Sequence, residues 1–105
     1  MSSDARATPE GGGEIRVTDN QAERCYEAHI GRDLVGTTTY HLQSGLLTLL
    51  HTEVEPAFEG QGVGSRLVAA VLDDARERDL AVLPVCPFVR TYLQRHPQPG
   101  LRLVG

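Results

Sequence analysis

Along the first half of the chain apolar and polar residues alternate; in the second half the apolar ones recur with helical spacing. Ile15 and Val17 share one side of the run "EIRV", and in "RCYEAHI" Tyr26, Ala28 and Ile30 face one way while Cys25, Glu27 and His29 face the other. Such period-two alternation predicts half-buried strands. The turn signals "GRD" at residues 31–33 and "QSG" at 43–45 bracket a third strand, "LVGTTTYHL". A denser apolar run, "LLTLLHTEV" at 46–54, reads as a central strand, because a strand covered on both faces has no need to alternate. Together these runs predict an antiparallel meander.

The period then changes. Leu67, Val68, Val71, Leu72 and Ala75 recur at i, i+1, i+4, i+5 and i+8, one stripe of an α-helix, and Asp74 and Arg78 add an i,i+4 pair on its polar side. "LAVLPV" at 80–85 is a fifth strand. "PFVRTYLQRH" at 87–96 is a second helix with Phe88, Val89, Tyr92 and Leu93 on one face; Pro87 suits its first position and Pro97 stops it. A strand, a helix and a strand in succession make a crossover, so the fifth strand is expected to run parallel to the fourth. The fold class is therefore α+β, a mixed sheet that is antiparallel first and parallel at its end. Residues 1–13, which include Gly11, Gly12 and Gly13, are expected to form a disordered arm, and residues 14–105 a single domain.

Composition narrows the function more than the fold. No apolar run approaches the roughly 18 residues of a membrane helix, and the polar first residues lack the apolar core of a signal peptide. No membrane role and a cytoplasmic location are expected. A net charge of −4 without a basic cluster disfavours nucleic acid as a partner. Cys25 and Cys86 have no C-x-x-C spacing, and His29, His41, His51 and His96 have no H-E-x-x-H pattern, so no metal is implied. All ten basic residues are arginine. The absence of lysine excludes a P-loop lysine and a Schiff-base lysine.

The stretch "EVEPAFEGQGVGSRLVAAVLDDA", residues 53–75, carries the chemistry. Gly60, Gly62 and Gly64 stand just ahead of the first helix with no acidic residue at its mouth. Glycines let a backbone approach a ligand closely, and a helix start offers free N–H groups and the positive end of its dipole. Phosphate is the natural guest. The dinucleotide fingerprint fails at Ser65 and the P-loop fails for want of lysine. A turn that merely lets helix and strand pack closely would show the same glycines.

The turn from Val54 through Pro56 and Phe58 to "EGQGVG" resembles the acetyl-CoA-binding motif of the GCN5-related N-acetyltransferase (GNAT) superfamily, Gln/Arg-x-x-Gly-x-Gly/Ala. The likeness covers residues 46–97. With "CPF" and "RHP" it is similar to a compact branch of GNAT-like proteins found in bacteria and eukaryotes. The resemblance implies that acetyl-CoA (CoA) is the cofactor, an acyl-CoA small molecule delivering an acetyl group to an unidentified acceptor amine. It implies that backbone N–H groups of Gln61, Gly62, Gly64 and Ser65 hold the pyrophosphate, with Gly60 and Val63 completing the cofactor-binding turn, and that the main chain near Val54 pairs with the pantetheine arm. Glu59 departs from the pattern, and a carboxylate beside a pyrophosphate is repelled, so Glu59 is expected to face solvent or a neighbouring donor. Arg66, a cation in a first helical turn, is unfavourable there unless an anion lies near, so it is expected to face the phosphate-rich end of CoA, a solvated arginine being the alternative. In the superfamily the fourth and fifth strands splay apart to admit pantetheine; Pro84, which cannot donate to a ladder, is expected at that parting, though an edge strand would also tolerate it.

Acetyl transfer to an amine needs a base, a stabilised oxyanion and an acid for the leaving thiolate. By the resemblance Tyr92 protonates the departing sulfur; as a helix-stripe residue it reads equally as core. Cys86 precedes Pro87 at a helix start, where the dipole favours a thiolate, and it either accepts the acetyl group, lines the thioester site or is buried and inert. His51 and Glu53 alternate onto one face of the fourth strand and are the candidates for work in the acceptor groove. Thr48 stands near where superfamily members often carry a glutamate, which leaves the base unassigned. The chain also lacks the helical segment with which larger members wall their acceptor. The groove is expected to stay open or to be completed by a partner, a weak homo-oligomer being one arrangement. A non-catalytic acyl-CoA-binding or sensing module is the alternative function.

Overall fold

Which side of the sheet is buried follows from the alternation. In the computed structural model of the protein, residues 14–105 are described, and the arm expected over 1–13 lies outside them. Five strands, β1 (Ile15–Asn20), β2 (Cys25–Ile30), β3 (Asp33–Gln43), β4 (Leu46–Val54) and β5 (Ala81–Pro84), form one sheet in that order. The first four are antiparallel and β4 pairs with β5 in parallel. Helix α1 (Val63–Glu77) makes the crossover and α2 (Pro87–Arg95) follows β5, as the periods predict. Leu67, Val68, Val71, Leu72 and Ala75 of α1 are fully buried in one cluster with Tyr26, Ala28, Val35, Leu47 and Leu49 of the sheet. Each of the larger of these side chains contributes about 1.5–3 kcal/mol by leaving water.

Two β-bulges adjust the alternation. Ala28 pairs with Gly36 but His29 with Leu34, which leaves Val35 as an extra residue in β3. Thr39 pairs with His51 but Tyr40 with Leu49, which leaves Leu50 as an extra residue in β4. The second bulge resets the parity of β4. Thr52 and Val54 thereby join Leu47 and Leu49 on the side facing α1, while His51 and Glu53 take the other side beside Thr39 and Thr37.

The β4/β5 pairing ends at Leu49 and Pro84. The N–H groups of Val85 and Cys86 both donate to the Leu49 carbonyl, at 3.0 and 2.9 Å, and the chain then turns into α2 with Pro87 at its first position. Pro84 thus marks the parting, but its missing donor is not the cause. Ala81 and Val85 donate toward β4, whereas Val82 donates outward to Arg102 and accepts from Val104. Pro84 shares the parity of Val82, so its missing N–H faces the outer edge. Phe88 also departs from expectation: it is 41% exposed rather than buried with Val89, because its ring lies over Gly64 of α1.

Opposite the parting, a polar network fastens α1 to three strands. Tyr26 donates from its hydroxyl to Asp74 Oδ2 at 2.6 Å, and Tyr40 donates to Asp19 Oδ1 at 2.7 Å. Arg78 bridges the carboxylates, 3.0 Å from Asp74 and 3.4 Å from Asp19, and the tyrosine rings lie 5.2 Å apart. Both hydroxyls hold their protons above the ordinary tyrosine value of about 10, through burial first and then through Asp74 for Tyr26 and Asp19 for Tyr40. The stability this lends is complete below pH ~10 and is lost as the pH rises further, because the unfolded chain then releases protons that the folded one keeps. Tyr26→Phe and Tyr40→Phe are each expected to cost about 1–2 kcal/mol near neutrality and to flatten the alkaline decline. Urea unfolding near neutrality and above pH ~10 measures both; an unchanged alkaline decline would contradict the assignment.

Candidate functional site

Beyond Val54 the chain makes one 3-10 turn, Pro56–Phe58, and enters the glycine segment. Gly60 and Gly62 have φ of +85° and +82°, conformations that β-carbons resist, and Gly62 is the N-cap of α1. The helix mouth has no side-chain cap and no acidic residue in its first turn. Its first bond runs from the Arg66 N–H to the Gly62 carbonyl, at 3.0 Å. Among the described residues, the N–H groups of residues 60–65 therefore have no backbone partner, an array of donors backed by a helix dipole. Gly64 has a different reason: a β-carbon there would sit 2.6 Å from the tip of the Phe88 ring.

These donors open on a groove of about 390 Å³ between α1 and the end of β4, walled by Thr52, Val54, Phe58, Val63 and Phe88. Among the described residues, 50–54 of β4 have no partner strand on the side that β5 has left. Apolar walls, unpaired strand backbone and a cradle of N–H donors together fit an elongated molecule with a phosphate end, as coenzyme A is. Val63 packs its side chain into the core. Arg66 is exposed and has no acidic partner among the described residues.

A second groove, of about 540 Å³, meets the first at Thr52, Val54 and Glu59. Thr37, His51, Glu53 and Glu55 line it as well. His51 Nε2 stands 3.2 Å from Glu53 Oε2. Glu59, exposed at the rim of both grooves, adds a third carboxylate to this one.

Cys86 is only 1% exposed and lies at the N-cap of α2. Its Sγ is 3.5 Å from Thr52 Oγ1, which in turn lies 3.1 Å from Thr38 Oγ1. The other thiol, Cys25, is pushed up by burial and then by Glu27 and Glu23. Tyr92 is not brought to this place. Its ring stacks on His96 at 4.5 Å and lines a pocket of about 140 Å³ with Ser65, Phe88 and Arg95, of which Ser65 and Phe88 also line the first groove. The structure thus gathers His51, Glu53 and, through Thr52, Cys86, and sets Tyr92 in a pocket that adjoins the first groove at Ser65 and Phe88. Sequence reasoning missed Thr38 and Thr52, and it named Phe58 and Phe88 only within the motif, the "CPF" signature and a helix face, not as groove walls. A period-two reading across the β4 bulge would place Thr52 on the wrong face, and Phe88 fits a helix stripe until Gly64 is seen beneath it.

Residues 25–101 match the GCN5-related N-acetyl-transferase family. The chain is 31% identical to mouse Protein NATD1 over 101 residues, 90% of this chain and 92% of the mouse protein. It is 29% identical to human Protein NATD1 over 105 residues, covering 94% and 93% of the two chains. Among solved structures, a GCN5-like putative N-acetyltransferase from Staphylococcus aureus superposes with a TM-score of 0.63 at 26% identity, over 88% of each chain. The ribosomal-protein-S18-alanine N-acetyltransferase of Escherichia coli shares the fold, with a TM-score of 0.53 at 21% identity over 57% of this chain, which spans only 41% of that enzyme. The chain belongs to the GCN5-related N-acetyltransferases, a family of acetyl-transfer proteins.

Proposed function

We propose that this protein is an acetyl-CoA-dependent N-acetyltransferase whose acceptor is a positively charged amine. The observation that carries the reading is the meeting of two grooves at Thr52 and Val54, one floored by the unpaired N–H groups of residues 60–65 and the other lined by carboxylates. Acetyl-CoA, when bound, supplies an activated thioester. The turn of Gly60, Gln61, Gly62, Val63, Gly64 and Ser65 holds its phosphates by backbone donation, and Arg66 adds a cation at that end. The backbone at Val54 aligns the neutral arm, and Cys86 lies behind Thr52 at the acyl end.

Glu53, Glu55 and Glu59 attract a cationic amine into the larger groove. An ammonium group has no lone pair for attack, so a proton must leave first. His51 takes it, and Glu53, 3.2 Å away, stabilises the imidazolium that forms. Attack of the resulting neutral amine on the thioester would break the C–S bond, and the proton lost from the attacking nitrogen would pass through groove water to the departing sulfur.

Titration with acetyl-CoA followed by intact-protein mass spectrometry tests the reading. Saturable binding is expected, with acetyl passing to an added aliphatic diamine and not to a neutral amide. Binding without transfer would leave an acyl-CoA-binding module, and absence of binding would overturn the proposal. His51→Ala and Glu53→Gln are expected to lower kcat/KM by about 10²-fold or more while acetyl-CoA affinity is kept. Gly64→Val drives a side chain into Phe88 and Gly62→Val strains a left-handed position. Both variants are expected to stay folded and lose acetyl-CoA binding, as isothermal calorimetry would show; unchanged affinity would remove the cofactor from this turn.

A further inference from the structure

Phe88, Thr91, Tyr92 and Arg95 of α2, with His96 at its C-cap, recur at i, i+3, i+4, i+7 and i+8, which makes them one face of the helix. It is not the face that holds the helix to the sheet. Val89 is fully buried and Leu93 packs against the core, whereas Thr91, Arg95 and His96 are exposed. Along its length this second face grades from aromatic to cationic. All five residues line the pocket of about 140 Å³ that adjoins the first groove at Ser65 and Phe88.

Among the described residues, none of the side chains lining this pocket is a carboxylate. Arg95 has no acidic partner among them, and residues 80–105 contain no acidic residue although the chain carries 14. Cations at a helix C-terminus suit its dipole, but the dipole does not call for an aromatic stack beside them or an opening onto the donors of residues 60–65. The first groove thus has an acidic opening at Glu59 and a basic one at Ser65. Charge alone gives a bound anion one direction in it.

We propose that this face of α2 binds the nucleotide end of coenzyme A, with Arg95 as partner of the ribose 3′-phosphate and the Tyr92–His96 stack as platform for the purine. A guanidinium is planar and offers parallel N–H donors, which match the oxygens of a phosphate. The Tyr92 and His96 rings lie 4.5 Å apart and 31° from parallel, so a purine entering the pocket extends an existing stack. Tyr92 then serves the far end of the coenzyme and not its sulfur.

The inference rests on coenzyme A being the cofactor, and three probes separate the two claims: CoA, dephospho-CoA, which lacks the 3′-phosphate, and 4′-phosphopantetheine, which lacks the nucleotide. Each is titrated into the full chain by isothermal calorimetry. CoA is expected to bind about tenfold or more tightly than dephospho-CoA, the equivalent of one hydrogen bond to a charged group, and Arg95→Ala to bring the two within about twofold of each other. Tyr92→Leu is expected to weaken CoA and dephospho-CoA alike, by about fivefold or more, and to leave 4′-phosphopantetheine unchanged. Thermal unfolding verifies that the variants fold; Arg95 is exposed, so the phosphate arm stands without the Tyr92 variant. Equal affinity for CoA and dephospho-CoA, or an Arg95→Ala loss that is the same for both, would overturn this subsite and leave the cofactor standing. No binding of any of the three would overturn both.

Discussion

The Leu49 carbonyl accepts two backbone hydrogen bonds, from Val85 and from Cys86, and beyond it no strand among the described residues pairs with β4 on that side. The site depends on this one termination. It leaves strand backbone free to pair with a ligand, opens the apolar walls at Val54 and Phe58, and brings Cys86 beside Thr52. Had β5 continued along β4, the ladder would have closed the groove. Unpaired backbone is costly when buried, so such a parting persists only where water or a ligand satisfies it.

The two ends of the sheet divide the work. At one end Tyr26, Tyr40, Asp19, Asp74 and Arg78 join α1 to β1, β2 and β3 through paired, partly buried polar groups. At the other, the N-terminus of α1 lacks any side-chain cap. The same helix is thus held by its C-terminal turns and left with free donors at its start. A carboxylate cap at Gly62 would have stabilised the helix and blocked an anion.

The meander, the crossover and the stripe of α1 were legible because each rests on a local period that tertiary packing reinforces. The glycine turn was legible because residues 60–65 combine flexibility with an uncapped helix mouth. Thr52 was not, since the bulge at Leu50 shifts parity by one and nothing local announces it. Pro84 marked the right place for a reason that the hydrogen bonds reverse, because strand parity relative to Val82 depends on the C-terminal segment pairing at Arg102 and Val104. Phe88 looked like core for lack of any sequence sign that Gly64 lay below it. These departures all cluster at the parting, where local rules yield to the shape of the site.

The central claim is that a phosphate-bearing thioester cofactor enters between β4 and β5 and is held by the backbone at the start of α1. Amide chemical-shift mapping during titration with CoA tests it most directly, since the donors in question are backbone N–H groups. The account predicts that the largest shifts fall on residues 60–65 and on Thr52 and Val54, with β1 and the Tyr26–Asp74 end unmoved. Shifts concentrated on the face of β1 and β2, or none at residues 60–65, would contradict it.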